Sequence, residues 1–191
     1  MKQTIIIHGM PDKEEYYSYD KPSSSNKHWL PWLQKELAVR DEISQALEFP
    51  KPYFPIYKDY VEVFEQMKVS NETTLVGHSC GAGFLIRYLS ENPNVQPKRI
   101  VLVAPWIDLE SYLRDQGGTF FDFELDKNLG SRTEVHVFIS SDDDQVIIDT
   151  VDKLKKEVPN IMYHEFTDKG HFTKGDLGTE AFPELLEVIL K

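Results

Sequence analysis

The chain contains one cysteine, few basic residues and no long hydrophobic run. Cys80 is the only cysteine among 191 residues, which excludes an intramolecular disulfide and favours a reducing compartment. Lys and Arg total 21 against 32 Asp and Glu, so the formal net charge is −11 at pH 7. A surface for nucleic acid or for an anionic membrane needs a basic patch, and no stretch of the sequence supplies one.

The hydrophobic runs are too short for a secretion signal or a membrane span. Three strong apolar residues, Ile5-Ile6-Ile7, stand near the start. A signal peptide needs about 7–15 in a row, and a membrane-spanning helix needs about 18. We therefore expect a cytoplasmic protein. Hydrophobic residues make up 40% of the chain, which excludes intrinsic disorder and fits one domain over residues 1–191.

Strand and helix patterns alternate along the sequence. Short β-branched runs predict strands at 4–8, 73–76, 100–104, 135–140 and 161–166. Apolar residues at helical spacing predict helices at 29–39, 57–67, 82–91, 151–158 and 183–190. This alternation predicts an α/β fold with a largely parallel, doubly wound sheet and helices on both faces. The least regular stretch, 106–133, is either a small lid or a packed connection.

The pentapeptide Gly77-His78-Ser79-Cys80-Gly81 matches the G-x-S-x-G motif. Such a short motif also occurs by chance, so its context decides its meaning. Here a predicted strand runs directly into the motif and a predicted helix that begins with small residues follows, as this strand-to-helix turn requires. The helix would aim its free N–H groups at the serine. The alternative is a turn without chemistry.

Cys80 is a rival nucleophile within the same motif. The residue two positions before the nucleophile of this turn is small. That residue is Gly77 for Ser79 but His78 for Cys80, so we predict that Ser79 is the nucleophile. Cys80 would then contribute its backbone N–H to an oxyanion hole. The second donor is expected just after the first strand, where the N–H of Met10 is the candidate.

The predicted general base is His171. In α/β-hydrolases the catalytic residues follow the chain order Ser, then Asp or Glu, then His. Only His164 and His171 come after the candidate acids, and His164 lies inside a predicted strand. His171 lies in a glycine-containing loop beyond that strand, where the active-site groups of open α/β sheets collect. The alternative for His171 is an exposed loop histidine.

Three adjacent aspartates, Asp142-Asp143-Asp144, follow the strand predicted at 135–140. Adjacent carboxylates also suit a solvated turn or a cation site. No accompanying pattern of His or Cys ligands points to a metal, so we expect none. Either Asp144 or Asp143 is then the acid that fixes the tautomer of His171 and stabilises its charged form.

Trp106 is a candidate for lining the substrate pocket. It directly follows the strand predicted at 100–104, at the end of the sheet where pockets form. Its alternative role is that of an ordinary buried residue.

Taken together, six segments resemble the small serine hydrolases that include retinoblastoma-binding protein nine and its bacterial relatives. The resemblance covers nearly the whole chain, including the segment around the family's N-H-W motif, the serine turn, the acid loop and the histidine loop. The segments are 8–9, 24–33, 77–81, 100–103, 141–145 and 166–172. The resemblance implies a single-domain α/β-hydrolase fold without a large cap domain.

The family pattern also bears on the acid and on the partners. Its catalytic aspartate is the second of a pair, and aligning without gaps from Val137 puts that aspartate at Asp144. Ile148 stands where the family usually has proline, and an extra aspartate precedes the pair. Binding to the retinoblastoma protein is associated with an L-x-C-x-E segment. This chain lacks one, so that partner is not expected.

The sequence thus predicts a serine hydrolase that cleaves a small carboxylic ester, or an amide, without metal or organic cofactor. Ser79 would attack the carbonyl, His171 would relay the proton and Asp144 would orient His171. Acyl transfer to an acceptor other than water would use the same residues. A non-catalytic binding or scaffold protein on a hydrolase fold is the alternative from another class.

Overall fold

A six-stranded parallel sheet forms the centre of the molecule. The computed structural model describes residues 2–191. The strand order is β2-β1-β3-β4-β5-β6, and every pairing within the described residues is parallel. The predicted parallel, doubly wound sheet is confirmed. The strands are β1 (Gln3–Ile7), β2 (Ile43–Leu47), β3 (Thr73–His78), β4 (Arg99–Val103), β5 (Glu134–Ser140) and β6 (Ile161–Phe166).

Helices connect the consecutive strands. Crossovers between parallel strands are right-handed, so the reversal of direction after β2 sends the connecting helices to both faces of the sheet. The helices of residues 2–191 are α1 (Lys13–Tyr17), α2 (Leu30–Ala38), α3 (Tyr57–Phe64), α4 (Cys80–Glu91), α5 (Leu129–Arg132), α6 (Gln145–Glu157), α7 (Lys174–Leu177) and α8 (Pro183–Leu190).

The elements that the sequence did not predict are short or lie at the edge. β2 is an edge strand in which only Leu47 is fully buried, so its five residues lack the continuous apolar run of a central strand. Helix α6 begins at Gln145, six residues before the predicted start, with Asp144 at its N-terminal cap position. The short helices α1, α5 and α7 have no sustained periodicity.

The core lies against both faces of the central strands. Every residue of β3 and β4 is buried, as the apolar runs predict for a parallel sheet covered on both sides. Beside them, an aromatic cluster joins four separate segments of the chain. Phe49 stacks on Tyr60 at 3.9 Å between ring centroids, and Tyr60 meets Phe120 at 4.8 Å and Phe84 at 5.5 Å.

Part of the irregular stretch 106–133 packs against α4. Phe120, within it, is buried in the aromatic cluster. The guanidinium of Arg87, on α4, donates to the carbonyl oxygens of Thr119 and Phe120 at 2.6 and 2.8 Å. These contacts hold the stretch against α4.

The strand order creates a crevice between β1 and β3. The chain leaves β1 toward one edge of the sheet to form β2, and later crosses to β3 on the other side of β1. Open α/β sheets bind ligands at such a switch point, outside the carboxyl ends of the strands. The register pairs Ile7 with Gly77, so the residues that follow the two strands lie next to each other.

No helix within residues 2–191 has both the length and the apolar character that crossing a membrane requires.

The contact between α4 and the chain beyond β4 leaves no room for a side chain at Gly83. A Cβ atom there would lie 1.9 Å from the carbonyl oxygen of Trp106 and 2.6 Å from the ring of Phe121. We expect Gly83→Ala to lower the free energy of unfolding by about 2 kcal/mol, because the helix must move away from this backbone. Urea denaturation followed by circular dichroism measures the change.

Gly175→Ala is the matched control, because a Cβ atom at Gly175 would make only an ordinary contact at 3.5 Å. It should change the stability by less than about 0.5 kcal/mol. Equal losses in the two variants would contradict the close packing at Gly83.

Candidate active site

Ser79 lies on a strained turn between β3 and α4. Its backbone has φ 51° and ψ −119°, a conformation that residues with a side chain seldom adopt. The turn is held from three directions. The N–H of Ser79 donates to Val103 at 2.9 Å, and its carbonyl oxygen accepts from Gly83 at 3.1 Å and from Trp106 at 3.3 Å. The predicted strand-to-helix turn is therefore present.

The two glycines of the motif are required by close backbone contacts. A Cβ atom at Gly77 would lie 2.5 Å from the Cα of Ala82. At Gly81 it would lie 2.4 Å from the carbonyl oxygen of His8. Only glycine therefore allows the first turn of α4 to lie against the ends of β1 and β3.

His171 pairs with Asp143. The imidazole follows β6 and the carboxylate follows β5, and Nδ1 lies 2.9 Å from Oδ1 and 3.2 Å from Oδ2. The Asp143 side chain is 0% exposed, whereas that of His171 is 28% exposed. A buried carboxylate on Nδ1 holds the imidazole with its other nitrogen free to accept a proton.

The prediction that Asp144 contacts His171 is wrong by one residue. Asp144 is exposed at the N-terminal cap position of α6, and its backbone N–H donates to Oδ1 of Asp143 at 2.7 Å. Asp142 does not pair with His171 either, since its Oδ1 accepts a hydrogen bond from the N–H of Gly170 at 3.0 Å. Asp142 thereby joins the acid loop to the histidine loop, which leaves Asp143 to face His171.

The histidine loop has further supports that the sequence analysis missed. The N–H of His171 donates to the carboxylate of Asp176 at 3.2 Å, and that of Lys169 donates to Oγ of Ser140 at 3.0 Å. Asp176 also completes a capping box with Thr173 at the start of α7. The T-x-x-D spacing at 173–176 was the available sequence signal, although the helix it caps is only four residues long.

His78, the second residue of the motif, forms a hydrogen bond with the same loop. Its Nε2 lies 2.9 Å from the carbonyl oxygen of His171, and this oxygen can only accept. Burial holds the pKa of His78 well below its ordinary value, and the neighbouring His171 lowers it further. The ring is therefore neutral and donates its Nε2 proton to the loop.

Ser79 and His171 line one cavity of about 120 Å³ at the switch point. The residues that surround it come mainly from the ends of β1 and β3, from α1, from the segment before α2 and from the histidine loop. They are His8, Gly9, Met10, Pro11, Glu15, Ser24, Lys27, His28, Leu30, His78, Ser79, His171 and Thr173. None belongs to the stretch 106–133.

The backbone beside Ser79 offers two N–H groups. Cys80 is the first residue of α4, so its N–H is one of the unpaired donors at a helix N-terminus. Met10 lies in the cavity wall after β1. Within residues 2–191, neither N–H donates a hydrogen bond. Unpaired backbone N–H donors next to a serine can stabilise a negative oxygen.

The thiol of Cys80 is not suited to act as the nucleophile. The side chain is fully buried, and this burial raises the pKa of the thiol. The reactive thiolate is therefore not formed at neutral pH. This agrees with the choice of Ser79 made from the spacing of the motif.

The prediction that Trp106 lines the pocket at Ser79 is wrong. The backbone has φ 46° at Ala104, where the chain turns after β4. Trp106 is 6% exposed, its ring meets Phe121 at 5.3 Å, and its Nε1 donates to Glu110 at 2.8 Å. It contributes to the site only through its backbone N–H, which supports the carbonyl of Ser79.

Comparison with known proteins places the chain among hydrolases. A family model described as serine hydrolase matches residues 21–190. The YdeN protein of Bacillus subtilis (strain 168), which is named as a hydrolase, is 28% identical over 98% of this chain and 94% of the relative.

Solved structures with the same fold include one that is named an esterase. The B. subtilis ydeN product superposes with a TM-score of 0.79 at 24% identity, over 100% of this chain and 97% of the other. Est1E from Butyrivibrio proteoclasticus, solved with ferulic acid, has a TM-score of 0.66 at 11% identity over 99% and 86%. An esterase from Exiguobacterium antarcticum has a TM-score of 0.63 at 14% identity over 100% and 91%.

These neighbours share the α/β-hydrolase fold that the sequence predicts. The family model covers most of the chain, including the serine turn, the acid loop and the histidine loop. The protein belongs to the serine hydrolase family.

Proposed function

We propose that this protein is an esterase that hydrolyses small carboxylic esters through an acyl-enzyme on Ser79. His171 acts as the general base and acid, and Asp143 orients it. The N–H groups of Met10 and Cys80 form the oxyanion hole. The observation that carries the proposal is that the strained Ser79 and His171, which pairs with the buried Asp143, line one small cavity.

In the first half of the reaction, Oγ of Ser79 attacks the ester carbonyl while Nε2 of His171 takes its proton. The carbonyl oxygen becomes an oxyanion between the two backbone N–H groups. As this intermediate collapses, the bond to the alcohol oxygen breaks and His171 gives its proton to the departing alcohol. The acyl group remains as an ester of Ser79.

In the second half, water replaces the alcohol. His171 removes a proton from the water as its oxygen attacks the acyl carbonyl, and the proton then returns to Oγ of Ser79. The products are one carboxylic acid and one alcohol. Asp143 remains ionised throughout and stabilises the imidazolium that forms in each half.

Two other functions use the same framework. Acyl transfer would replace water by another alcohol or by an amine in the second half, and product analysis with competing acceptors distinguishes it. A non-catalytic scaffold is disfavoured by the backbone strain at Ser79. Such strain costs about 1–3 kcal/mol, and its retention needs a functional reason.

Ser79→Ala should abolish covalent labelling by a fluorophosphonate probe and hydrolysis of p-nitrophenyl acetate, because the attacking oxygen is removed. Gel fluorescence and absorbance at the nitrophenolate band measure the two effects. Ser131→Ala is the control, since this exposed serine lies in α5, outside the cavity. Equal labelling of Ser79→Ala and wild type would rule the proposed nucleophile out.

Asp143→Asn should reduce kcat by about 10³–10⁴-fold with little effect on folding, because the amide favours the wrong tautomer of His171. Asp144→Asn is the matched control and should stay within about threefold of wild type, since exposed charges contribute little. Steady-state kinetics with p-nitrophenyl acetate measure both. A larger loss of kcat in Asp144→Asn than in Asp143→Asn would show that Asp144 orients His171.

The neutral His78 predicts how stability depends on pH. Its pKa in the folded protein lies below the ordinary 6.5, so the unfolded chain binds a proton that the folded one excludes. The contribution of His78 to the free energy of unfolding is fully present above pH 6.5. It is lost as the pH falls below this value, by up to about 1.4 kcal/mol between pH 7.5 and 5.5.

Urea denaturation of wild type and of His78→Gln at the two pH values tests this sign. The loss of stability on acidification should be smaller in the variant, which has one titrating imidazole fewer. An equal or larger loss in His78→Gln would show that His78 is not held neutral.

A further inference from the structure

His28 lies in the wall of the cavity at Ser79, and the proposed mechanism does not use it. Its backbone has φ 55°, in the left-handed region that residues other than glycine seldom adopt. Such a conformation persists only where the surrounding structure fixes it, and it is common at functional sites. The His28 ring is therefore a candidate for a role toward the substrate.

A backbone hydrogen bond determines which nitrogen of the His28 ring carries the proton. The N–H of Lys174, the first residue of α7, donates to Nδ1 at 3.1 Å. A ring nitrogen that accepts a hydrogen bond carries no proton, so the proton of the neutral ring is on Nε2. Burial lowers the pKa of His28 from its ordinary value of 6.5, and the nearby Lys27 lowers it further, so the ring is neutral at pH 7.

The Nε2–H group of His28 is a donor without a partner. In the part of the chain that the structure describes, Nε2 makes no hydrogen bond, and the partnerless polar side-chain atoms that are closed to solvent do not include it. The ring lines the cavity, while its Nδ1 is occupied by the N–H of Lys174. Nε2 is therefore the ring nitrogen that is available to a molecule in the cavity.

The His28 ring is close to the catalytic histidine. Its centroid lies 5.7 Å from that of His78, and the centroid of His78 lies 5.0 Å from that of His171. Ser79, His171 and His28 all line the same cavity of about 120 Å³. A small ester bound against Ser79 therefore occupies space that His28 also borders.

A second free polar group lies in the same wall. Ser24 is 5% exposed and lines the cavity. Among residues 2–191, its Oγ has no hydrogen-bond partner and is not one of the partnerless atoms closed to solvent. The charged side chains of the lining, those of Lys27 and Glu15, neutralise each other in an ion pair at 2.8 Å. This wall is therefore suited to bind an uncharged oxygen atom of a ligand.

We propose that His28 is a specificity-determining residue whose Nε2–H donates to an uncharged oxygen atom of the substrate near the scissile ester. Suitable substrates are short esters that carry an ether, hydroxyl or carbonyl oxygen on the acyl group or on the alcohol. An alkyl ester of the same length would leave the donor without a partner, so its transition state is bound less tightly. This inference rests on the proposed esterase function.

Two pairs of esters test the recognised oxygen, and each pair replaces that oxygen by a CH₂ group. Ethyl methoxyacetate against ethyl butanoate tests an oxygen on the acyl group, and 2-methoxyethyl acetate against butyl acetate tests one on the alcohol. Each ratio of kcat/KM, measured by pH-stat, is divided by the ratio of the rate constants for hydrolysis by hydroxide, which removes the electronic effect of the oxygen. The wild type should prefer the oxygen by about fivefold or more in one pair.

His28→Asn then removes the donor. Asparagine tolerates a positive φ, and its Oδ1 can accept from the N–H of Lys174. Its NH₂ group ends nearer to the backbone than Nε2 does, so the preference should fall below about twofold. His28→Phe keeps a ring without either nitrogen and should lose the preference as well. His164→Asn, the same change in β6 outside the cavity, should leave the preference as in wild type.

The outcomes separate the two proposals. Covalent labelling of Ser79 by a fluorophosphonate shows which variants are folded. If the corrected rates of the wild type are equal within both pairs, this inference is overturned while the esterase function stands. A preference that persists in a labelled His28 variant, or that is lost equally in His164→Asn, also overturns it. If the wild type hydrolyses none of the four esters faster than Ser79→Ala does, the esterase function fails and the inference fails with it.

Discussion

The first turn of α4 lies against the carboxyl end of β1 with only backbone between them. A side chain at Gly81 would collide with the carbonyl oxygen of His8. This contact sets the start of α4, with the unpaired N–H of Cys80, beside the end of β1, from which the chain continues to Met10 in the cavity wall. It also confines Ser79 to its strained conformation, whose cost the buried strands and the first turn of α4 offset. The other parts of the site are arranged around this fixed point.

The histidine loop depends on a different kind of restraint, a set of hydrogen bonds from neighbouring loops. The three aspartates after β5 have three different placements, since Asp142 joins the two loops, Asp143 pairs with His171, and Asp144 is exposed at the N-terminal cap position of α6. His78 supports the loop from the motif itself, through the carbonyl of His171. The imidazole is therefore held from the acid loop and from the serine turn together, so its position does not depend on a single contact.

The sequence analysis predicted the features that are set by residues close together in the chain. It missed the features that are set by contacts between distant segments. Apolar runs revealed β3, β4 and β5, and the glycines at 77 and 81 revealed the turn, because these constraints act within a few residues. The sequence analysis assigned the acid to Asp144, one residue too late. Three adjacent aspartates look alike in the sequence, and nothing there shows that the N–H of Gly170 binds Asp142. Trp106 was misplaced for the same reason, because its ring packs on Phe121 and its Nε1 donates to Glu110, which its position after β4 does not reveal.

The single cysteine has a practical consequence. Cys80 is buried at the start of α4, and its burial keeps the thiol protonated. Thiol-directed reagents attack an accessible thiolate, so we expect Cys80 in the native fold to react slowly with maleimides and mild oxidants at neutral pH. A cysteine introduced on the exposed surface, for example at Tyr19, would be the one reactive thiol of the folded protein. The wild-type chain is thus already suitable for site-specific spectroscopic labelling without a background substitution in the serine turn.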